Sequence, residues 1–358
     1  MTKRDFLTKI PLFATACAIP LGANINDNAK NDSWEKFSFS VSKIYDSEKH
    51  CAFTSIVKFN NQYHIAFREA ESHIFDKDGE ARGGIRIITS KNGEKWEPLT
   101  FIKKDGYDLR DPKLSVTPDG RLMLLCGGSV YINKKRISMI PQISFSKNGI
   151  DFSDIRPLSL NFQNKTSYDW LWRVTWKDNV GYGVVYSLDS QRPVFRTASL
   201  VKTIDGINYE EVVNFNIPDC PGEATIRFLQ DNRMVLVITY GLPNDGKHGF
   251  FGISNPPYTN WKFKSIGMKL GGPDLIVCDD MLILGTRSSF LPNSFKTLLL
   301  SGDINGNFKE KIFLPSGGDT SYPGFLIEGN ELWCCYYSSH ETKLASIYLA
   351  KIPLTALK

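Results

Sequence analysis

The stretch Ser90-Lys91-Asn92-Gly93-Glu94-Lys95-Trp96 decides the fold, because its pattern recurs along the chain. The pattern is a hydroxyl residue, any residue, Asn or Asp, Gly, two residues and an aromatic. Further copies begin at Ser146 and Thr203, 56 and 57 residues apart, and a weaker copy begins at Asp303. Asn-Gly and Asp-Gly supply the positive φ angles of a tight turn, which the aromatic can seal. Each copy therefore predicts a β-hairpin turn between two outer strands of a sheet.

Short segments rich in Val, Ile, Phe and Tyr lie between these turns, and no long stretch has helical periodicity. Repeats of about 50 residues that each encode a four-stranded sheet are typical of a β-propeller. The last strand group has only three strands, so we expect residues 37–45 to supply its outer strand and close the ring. The prediction is an all-β, six-bladed propeller in a single domain over 37–358, with strand groups that begin near residues 52, 113, 168, 222, 270 and 320.

Residues 1–23 have the features of an export signal. Lys3 and Arg4 precede an apolar stretch with many small residues, and a polar linker follows over 24–36. The apolar stretch is too short to span a bilayer, and no later segment approaches twenty uninterrupted apolar residues. We therefore predict an exported protein, periplasmic or extracellular, without a transmembrane anchor. Residues 2–7 resemble a twin-arginine signal and residues 14–17 a poor lipoprotein box, so the export route and a lipid anchor stay open.

The composition excludes several classes of protein. With 358 residues, 42% of them hydrophobic and 23% charged, the chain is neither disordered nor fibrous. The formal charge of +5 is modest and no basic run occurs, so a nucleic-acid partner is not predicted. Seven cysteines, one of them in the leader, show no paired spacing that suggests zinc. We predict no metal and no cofactor.

The repeated turn resembles the Asp-box of the sialidase (BNR-repeat) superfamily, and the resemblance covers residues 37–350. Within that superfamily the chain is similar to exported sialidase-like proteins of Bacteroidetes-type bacteria. The similarity is carried by the segments Ala66-Phe67-Arg68-Glu69, Asp108-Leu109-Arg110-Asp111-Pro112-Lys113, Gly271-Gly272-Pro273-Asp274 and Ser316-Gly317-Gly318-Asp319-Thr320-Ser321-Tyr322-Pro323-Gly324. The resemblance implies a propeller of sialidase type with its site where the inner strands converge.

In sialidases a Tyr paired with a Glu is the nucleophile, and three arginines grip the substrate carboxylate. The resemblance places the tyrosine at Tyr322 and the glutamate at Glu223. A neighbouring carboxylate can act as base and lower the cost of ionising a phenol, whose reference pKa is about 10. Only the third arginine has a match, Arg287, because residues 52–55 and 238–240 lack the first two. Ordinary sialic-acid hydrolysis is therefore not expected.

Other polar residues near the first and second strand of each group are candidates for the same site. Arg68 and Arg110 have a structural alternative, an ion pair between blades. Asp274 and Asp319 are expected to cap turns. We predict Asp111 or His73 as the proton donor that complements the Tyr322–Glu223 pair. The predicted substrate contacts are Arg68, Arg110, Arg287, Arg227, Trp172, Arg173 and His340.

These residues predict an exported carbohydrate-active enzyme. The leading hypothesis is a glycoside hydrolase that removes a terminal, acidic sugar from an oligosaccharide or polysaccharide fragment. A uronate-directed lyase or oligosaccharide dehydratase is one alternative, because Tyr, His and an Arg that neutralises a carboxylate can drive elimination. A non-catalytic glycan-binding propeller is the other, and the two missing arginines favour it.

Overall fold

The computed structural model describes residues 39–188, 196–217, 221–240, 249–289 and 295–358. The predicted export signal over 1–23 and the linker over 24–36 lie outside these residues. Within the described ranges, no helix is long and apolar enough to cross a membrane.

The described residues form strands in six sheets. β1 (Ser40–Tyr45) comes first. The first full sheet contains β2 (His50–Phe59), β3 (Gln62–Ala70), β4 (Gly84–Ser90) and β5 (Glu97–Ile102). The second contains β6 (Asp108–Val116), β7 (Leu122–Ile132), β8 (Lys135–Ser146) and β9 (Arg156–Pro157). The third contains β10 (Ser159–Asn161), β11 (Asp169–Lys177), β12 (Val180–Leu188), β13 (Arg196–Thr203) and β14 (Asn208–Phe215).

The fourth sheet contains β15 (Ala224–Phe228), β16 (Met234–Ile238), β17 (Phe250–Ser254) and β18 (Trp261–Ser265). The fifth contains β19 (Asp274–Cys278), β20 (Met281–Ser289), β21 (Phe295–Gly302) and β22 (Phe308–Leu314). The sixth contains β23 (Thr320–Glu328), β24 (Glu331–Ser338) and β25 (Ser346–Pro353), and a 3₁₀ turn, Leu354–Leu357, follows.

The six sheets are the blades of a closed ring. The innermost strand of each blade is called its first strand here; in the third blade this is β11, because β10 lies at the outer edge. The first strands of neighbouring blades contact one another in the order β2, β6, β11, β15, β19, β23 and back to β2. β1 pairs antiparallel with β25, with Ser40 opposite Lys351, so the N-terminal strand is the outer strand of the last blade. The predicted six-bladed propeller and its closure by an N-terminal strand are confirmed.

Burial on both faces of each sheet explains why the strands are apolar at consecutive positions. In β7, Met123 and Leu125 pack into the core between the second and third blades, whereas Leu122 and Leu124 pack into the core between the first and second. Six such clusters lie between successive pairs of blades. Since side chains alternate along a strand, each blade stabilises both of its neighbours.

The repeated turns connect the third and fourth strands of their blades and pack against the preceding blade. The turn glycines have positive φ, and an added Cβ at Gly93 would lie 2.0 Å from the Trp333 ring of the last blade. Glycine is therefore required for both conformation and space. In each turn the first hydroxyl accepts a hydrogen bond from the glycine N–H at 2.9 Å: Ser90 from Gly93, Ser146 from Gly149 and Thr203 from Gly206.

Candidate active site

Four of the six first strands carry a break in register at the same level of the ring. Each break leaves two residues without a ladder partner, which is how a bulge re-aims side chains next to active sites. Three bulge residues have positive φ, a conformation that costs about 1–2 kcal/mol for a residue with a side chain. Such strain clusters at functional sites. The breaks lie between Ala52 and Ser55, Arg110 and Lys113, Leu171 and Val174, and Ser321 and Gly324, and the strained residues are Phe53, Asp111 and Tyr322.

Tyr322 and Glu223, the predicted nucleophile and its partner, are in direct contact. The Tyr322 hydroxyl donates a 2.6 Å hydrogen bond to Glu223 Oε1, and the Gly272 N–H donates to Oε2 at 2.6 Å. Both side chains are partly exposed. Burial and the charge of Glu223 raise the pKa of Tyr322 well above its ordinary value, although Arg287 opposes this. The phenol therefore holds its proton at neutral pH, with a carboxylate placed to accept it.

Gly272 makes this contact sterically possible. Its φ is +57°, and an added Cβ would lie 2.3 Å from Cγ of Tyr322. The backbone at Gly272 thus packs directly on the phenol ring while its N–H orients Glu223. No residue with a side chain fits there without displacing the ring.

Aromatic rings surround Tyr322 and fix its position. The centroid of its ring lies 5.0 Å from that of Phe53, 5.9 Å from that of Trp172 and 6.1 Å from that of Tyr337. The guanidinium carbon of Arg287 lies 5.2 Å from the Tyr322 centroid. Arg287, the residue that matches the third arginine in the resemblance, thus lies beside the phenol.

We call the region around Tyr322, Glu223 and Arg287, where the first strands meet, the mouth. Asp319 lies at its rim and contacts several of the side chains there. Its carboxylate accepts hydrogen bonds from His50 Nε2 at 2.8 Å and from Tyr337 at 2.9 Å, contacts His73 Nδ1 at 2.5 Å, and lies 3.8 Å from Arg287. Burial alone would raise the pKa of Asp319, but the hydrogen bonds to the two histidines outweigh it and hold the pKa well below the ordinary value. The expected turn cap is therefore a charged hub that positions the half-exposed His73.

His50, His73 and Asp319 could in principle hold a metal ion, because one ligand atom of each lies within 4.8 Å of the others. Both histidines, however, bond directly to the same Asp319 oxygen. The nearby Arg287 guanidinium would also repel a cation. The donor set fits a hydrogen-bonded cluster better than a metal centre.

Arg68 does not lie in the mouth, so its predicted role as a substrate contact is wrong. The side chain is 0% exposed, and its Nε and Nη2 donate to Asp108 Oδ1 at 2.9 and 2.8 Å. Arg110 donates to the other Asp108 oxygen at 3.0 Å and packs over Phe53. One aspartate on β6 thus joins two arginines, and Arg68 forms a bridge between the first and second blades.

Asp274 forms a second cluster of the same kind and is not the expected turn cap. It is fully buried and pairs with Arg227 Nη2 at 2.9 Å and Arg173 Nη2 at 3.2 Å. Arg227 does not reach Glu223. Four residues on a strand span about 13 Å, so the two share a face but lie at different depths. The predicted substrate contact by Arg227 is therefore not supported, whereas Arg173 keeps an unpartnered Nε among the described residues.

Asp111 and Lys113 lie on β6 below the mouth, and both are buried. Burial raises the pKa of Asp111 against the opposing charges of Arg110 and Lys113, and one of its oxygens has no hydrogen-bond partner in the described part of the chain. Sequence reasoning missed Lys113, although a lysine inside an otherwise buried first strand is an available signal. Trp172 faces the same region, with its ring 4.8 Å from Lys113 Nζ.

His340 is not part of this cluster. Its Nδ1 lies 2.9 Å from the Ser338 hydroxyl, its Nε2 lies 3.6 Å from Glu341, and its ring packs on Tyr348 in β25. β25 is the third strand of its blade, away from the central ring of first strands. The predicted substrate contact by His340 is therefore not supported.

The mouth and the region beneath it between β6 and β11, called the throat here, carry an excess of positive charge. Each of the two buried aspartates is shared by two arginines, and in the Asp108 cluster Arg110 also lies 4.0 Å from Asp111. In and beneath the mouth, six basic side chains lie with five carboxyl groups: Arg68, Arg110, Lys113, Arg173, Arg227 and Arg287 with Asp108, Asp111, Glu223, Asp274 and Asp319.

The fold is similar to that of several solved structures. A protein of unknown function from Dyadobacter fermentans superposes with a TM-score of 0.74 and 16% identity, over 87% of this chain and 99% of that chain. A sialidase from Trypanosoma rangeli superposes with a TM-score of 0.71 and 11% identity, over 89% of this chain and 60% of the sialidase chain. An α-L-arabinofuranosidase from Fusarium graminearum superposes with a TM-score of 0.64 and 14% identity, over 90% of this chain and 98% of the arabinofuranosidase chain.

No protein-family model matches the chain, and no curated protein sequence matches it either. The chain spans about three fifths of the length of the trypanosomal sialidase. At these identities the structural similarities establish a shared fold, the six-bladed propeller of sialidase type.

Proposed function

We propose that this protein is a glycoside hydrolase that removes a terminal, acidic sugar from an oligosaccharide. The observation that carries the proposal is the 2.6 Å hydrogen bond from Tyr322 to Glu223 at the mouth of the propeller. The sialidase and arabinofuranosidase of similar fold are glycosidases by name, which supports the same reaction class. We also propose that the chain is exported and belongs with the Asp-box proteins, as its N-terminus and its repeated turns predict.

In the proposed first step the Tyr322 oxygen attacks the anomeric carbon while Glu223 accepts the phenolic proton. The glycosidic bond breaks, and a proton donor protonates the leaving oxygen. In the second step water attacks the glycosyl–tyrosine intermediate. The former donor takes the proton of that water, and Glu223 returns its proton to the phenol.

His73 is better placed than Asp111 to be the proton donor. The leaving group must extend outward to solvent, and the His73 side chain is 42% exposed at the rim, whereas Asp111 is buried below the mouth. Asp319 holds His73 through Nδ1, and no residue that the structure describes bonds to Nε2, which can therefore face a substrate. Asp111, one of whose oxygens has no hydrogen-bond partner among the described residues, is then suited to accept a hydrogen bond from a sugar hydroxyl.

The proposal predicts that Tyr322→Phe abolishes turnover and leaves the fold intact. The matched control is Tyr336→Phe, because Tyr336 is a buried tyrosine of β24 whose hydroxyl bonds to the Pro315 carbonyl, outside the site. Release of terminal sugars from a panel of acidic oligosaccharides would be followed by chromatography. Turnover by Tyr322→Phe at the wild-type rate would reject the assignment.

Elimination from a uronate is the second candidate, favoured by the His73–Asp319 pair next to Arg287 and Tyr322. Arg287 would neutralise the carboxylate while His73 removes the adjacent proton, and the phenol would protonate the departing oxygen. This reaction forms a conjugated double bond that absorbs in the ultraviolet, and hydrolysis forms none. Binding without any turnover across the panel would instead support a glycan-binding propeller.

A further inference from the structure

The throat between β6 and β11 contains a lysine that the proposed mechanism does not use. Lys113 is 3% exposed and follows the bulge that carries Asp111. Its Nζ lies 4.8 Å from the centroid of the Trp172 ring, and no hydrogen bond or ion pair reaches it from the described residues. A buried ammonium group without a carboxylate partner is costly. Burial and the charge of Arg173 accordingly lower the pKa of Lys113 to about 8.

Two further hydrogen-bond donors beside Lys113 also lack acceptors. Trp172 Nε1 and Arg173 Nε, on the adjoining β11, are buried and have no partner among the described residues. An unsatisfied buried donor costs about 1–3 kcal/mol. These two donors on β11, together with the Lys113 ammonium on β6, which has no ion-pair partner among the described residues, indicate that a ligand supplies the acceptor.

The carboxylates that face Lys113 do not fill this need. Asp111, Asp274 and Glu223 all influence its ionisation, but none has an oxygen within 4.0 Å of its Nζ. Asp274 is already shared by two arginines, and Glu223 accepts the bonds from the nucleophile and its neighbouring backbone. Burial raises the pKa of Asp111, which weakens its tendency to carry a negative charge beside Lys113.

We propose that Lys113 is the anion-binding residue of the site, and that the throat between β6 and β11 accepts an oxyanion substituent of the terminal sugar. The aromatic and guanidinium groups of Trp172 and Arg173 would donate to the same oxygens. The inference rests on the proposed function in that it names the substrate class of the same mouth. It also explains how a site with only one of the three expected arginines, Arg287, can select an acidic sugar.

The substituent is a carboxylate or a sulfate ester, and the test separates the two. Binding of D-glucuronate, D-glucose and inorganic sulfate to the full chain would be measured by titration calorimetry at constant ionic strength. We expect D-glucuronate or sulfate to bind and D-glucose to bind at least tenfold more weakly. Glucuronate binding alone identifies a carboxylate, and sulfate binding alone identifies a sulfate ester. Absence of binding by both anions overturns the proposal.

Lys113→Met and Lys113→Gln should each weaken anion binding at least tenfold, with unfolding transitions recorded to verify the fold. The matched control is Lys91→Met, because Lys91 is an exposed lysine on the outer turn of the first blade. Wild-type affinity in folded Lys113 variants would overturn the proposal. Tyr322→Phe should retain anion binding, so loss of the hydrolase assignment and loss of the anion site give different results.

Discussion

Replacing Gly272 by alanine tests whether the geometry of the Tyr322–Glu223 pair carries the chemistry. The new Cβ would lie 2.3 Å from Tyr322 Cγ, where ordinary contacts begin at 3.4 Å, so the ring must move by about 1 Å. A displacement of that size can cost about 10²-fold in rate. The alanine also adopts a φ near +57°, which costs about 1 kcal/mol of stability.

Gly329→Ala is the matched control for this variant. Gly329 lies in the hairpin between β23 and β24 with a φ of +59°, and no atom of another described residue beyond its chain neighbours lies within 4 Å of the position of an added Cβ. Gly329→Ala should lose about 1 kcal/mol in urea unfolding, and Gly272→Ala about 1–3 kcal/mol more because the ring must also move, but only Gly272→Ala should lose about 10²-fold in kcat/KM. Equal turnover by the two variants would refute the reasoning, because the steric effect on Tyr322 would then have no catalytic consequence.

Three further predictions concern the scaffold and the rim. Arg68→Met should lower the free energy of unfolding by about 3 kcal/mol, since it leaves the buried Asp108 with fewer donors; an unchanged urea midpoint would contradict this. Asp319→Asn should flatten the acid dependence of stability. The depressed pKa of Asp319 means that its ionised form stabilises the protein at neutral pH, and this stability is lost as the pH falls below about 4. Urea titrations between pH 3 and 7 should show a steeper decline in the free energy of unfolding for the wild type than for the variant. Deleting residues 40–45 should expose the edge of β25 and cause association, visible by light scattering, whereas a monomer of wild-type stability would argue against closure by β1.

Much of the fold is predictable because its signals are local. The residues of the turn at Ser90–Trp96 form its hydrogen bond and adopt its positive glycine φ without help from distant strands. The same pattern therefore predicts a connection between the third and fourth strands of a blade wherever it occurs. Counting strand groups between such turns then gives the number of blades. The missing outer strand of the last blade follows from the same count.

The site is only partly predictable because its contacts join distant strands. Tyr322 and Glu223 were placed by resemblance to a family pattern, and they meet across 99 residues. The alternation of side chains along β15 predicts which face of the sheet Arg227 lies on, but not how far below the mouth its side chain lies. Bulges such as that at Asp111 interrupt alternation altogether, so no periodicity argument reaches Lys113.

The bulges on the four first strands also bear on how this protein can evolve. The two residues in each bulge have no partner in the register of the first and second strands, so that pairing does not fix which side chains stand there. Substitutions there change the lining of the mouth and leave the strand pairing intact, although they also alter contacts between blades such as those of Thr54, whose hydroxyl donates to the carbonyls of Tyr322 and Cys335. New substrate preferences can therefore accumulate at one level of the ring while the surrounding architecture is inherited unchanged.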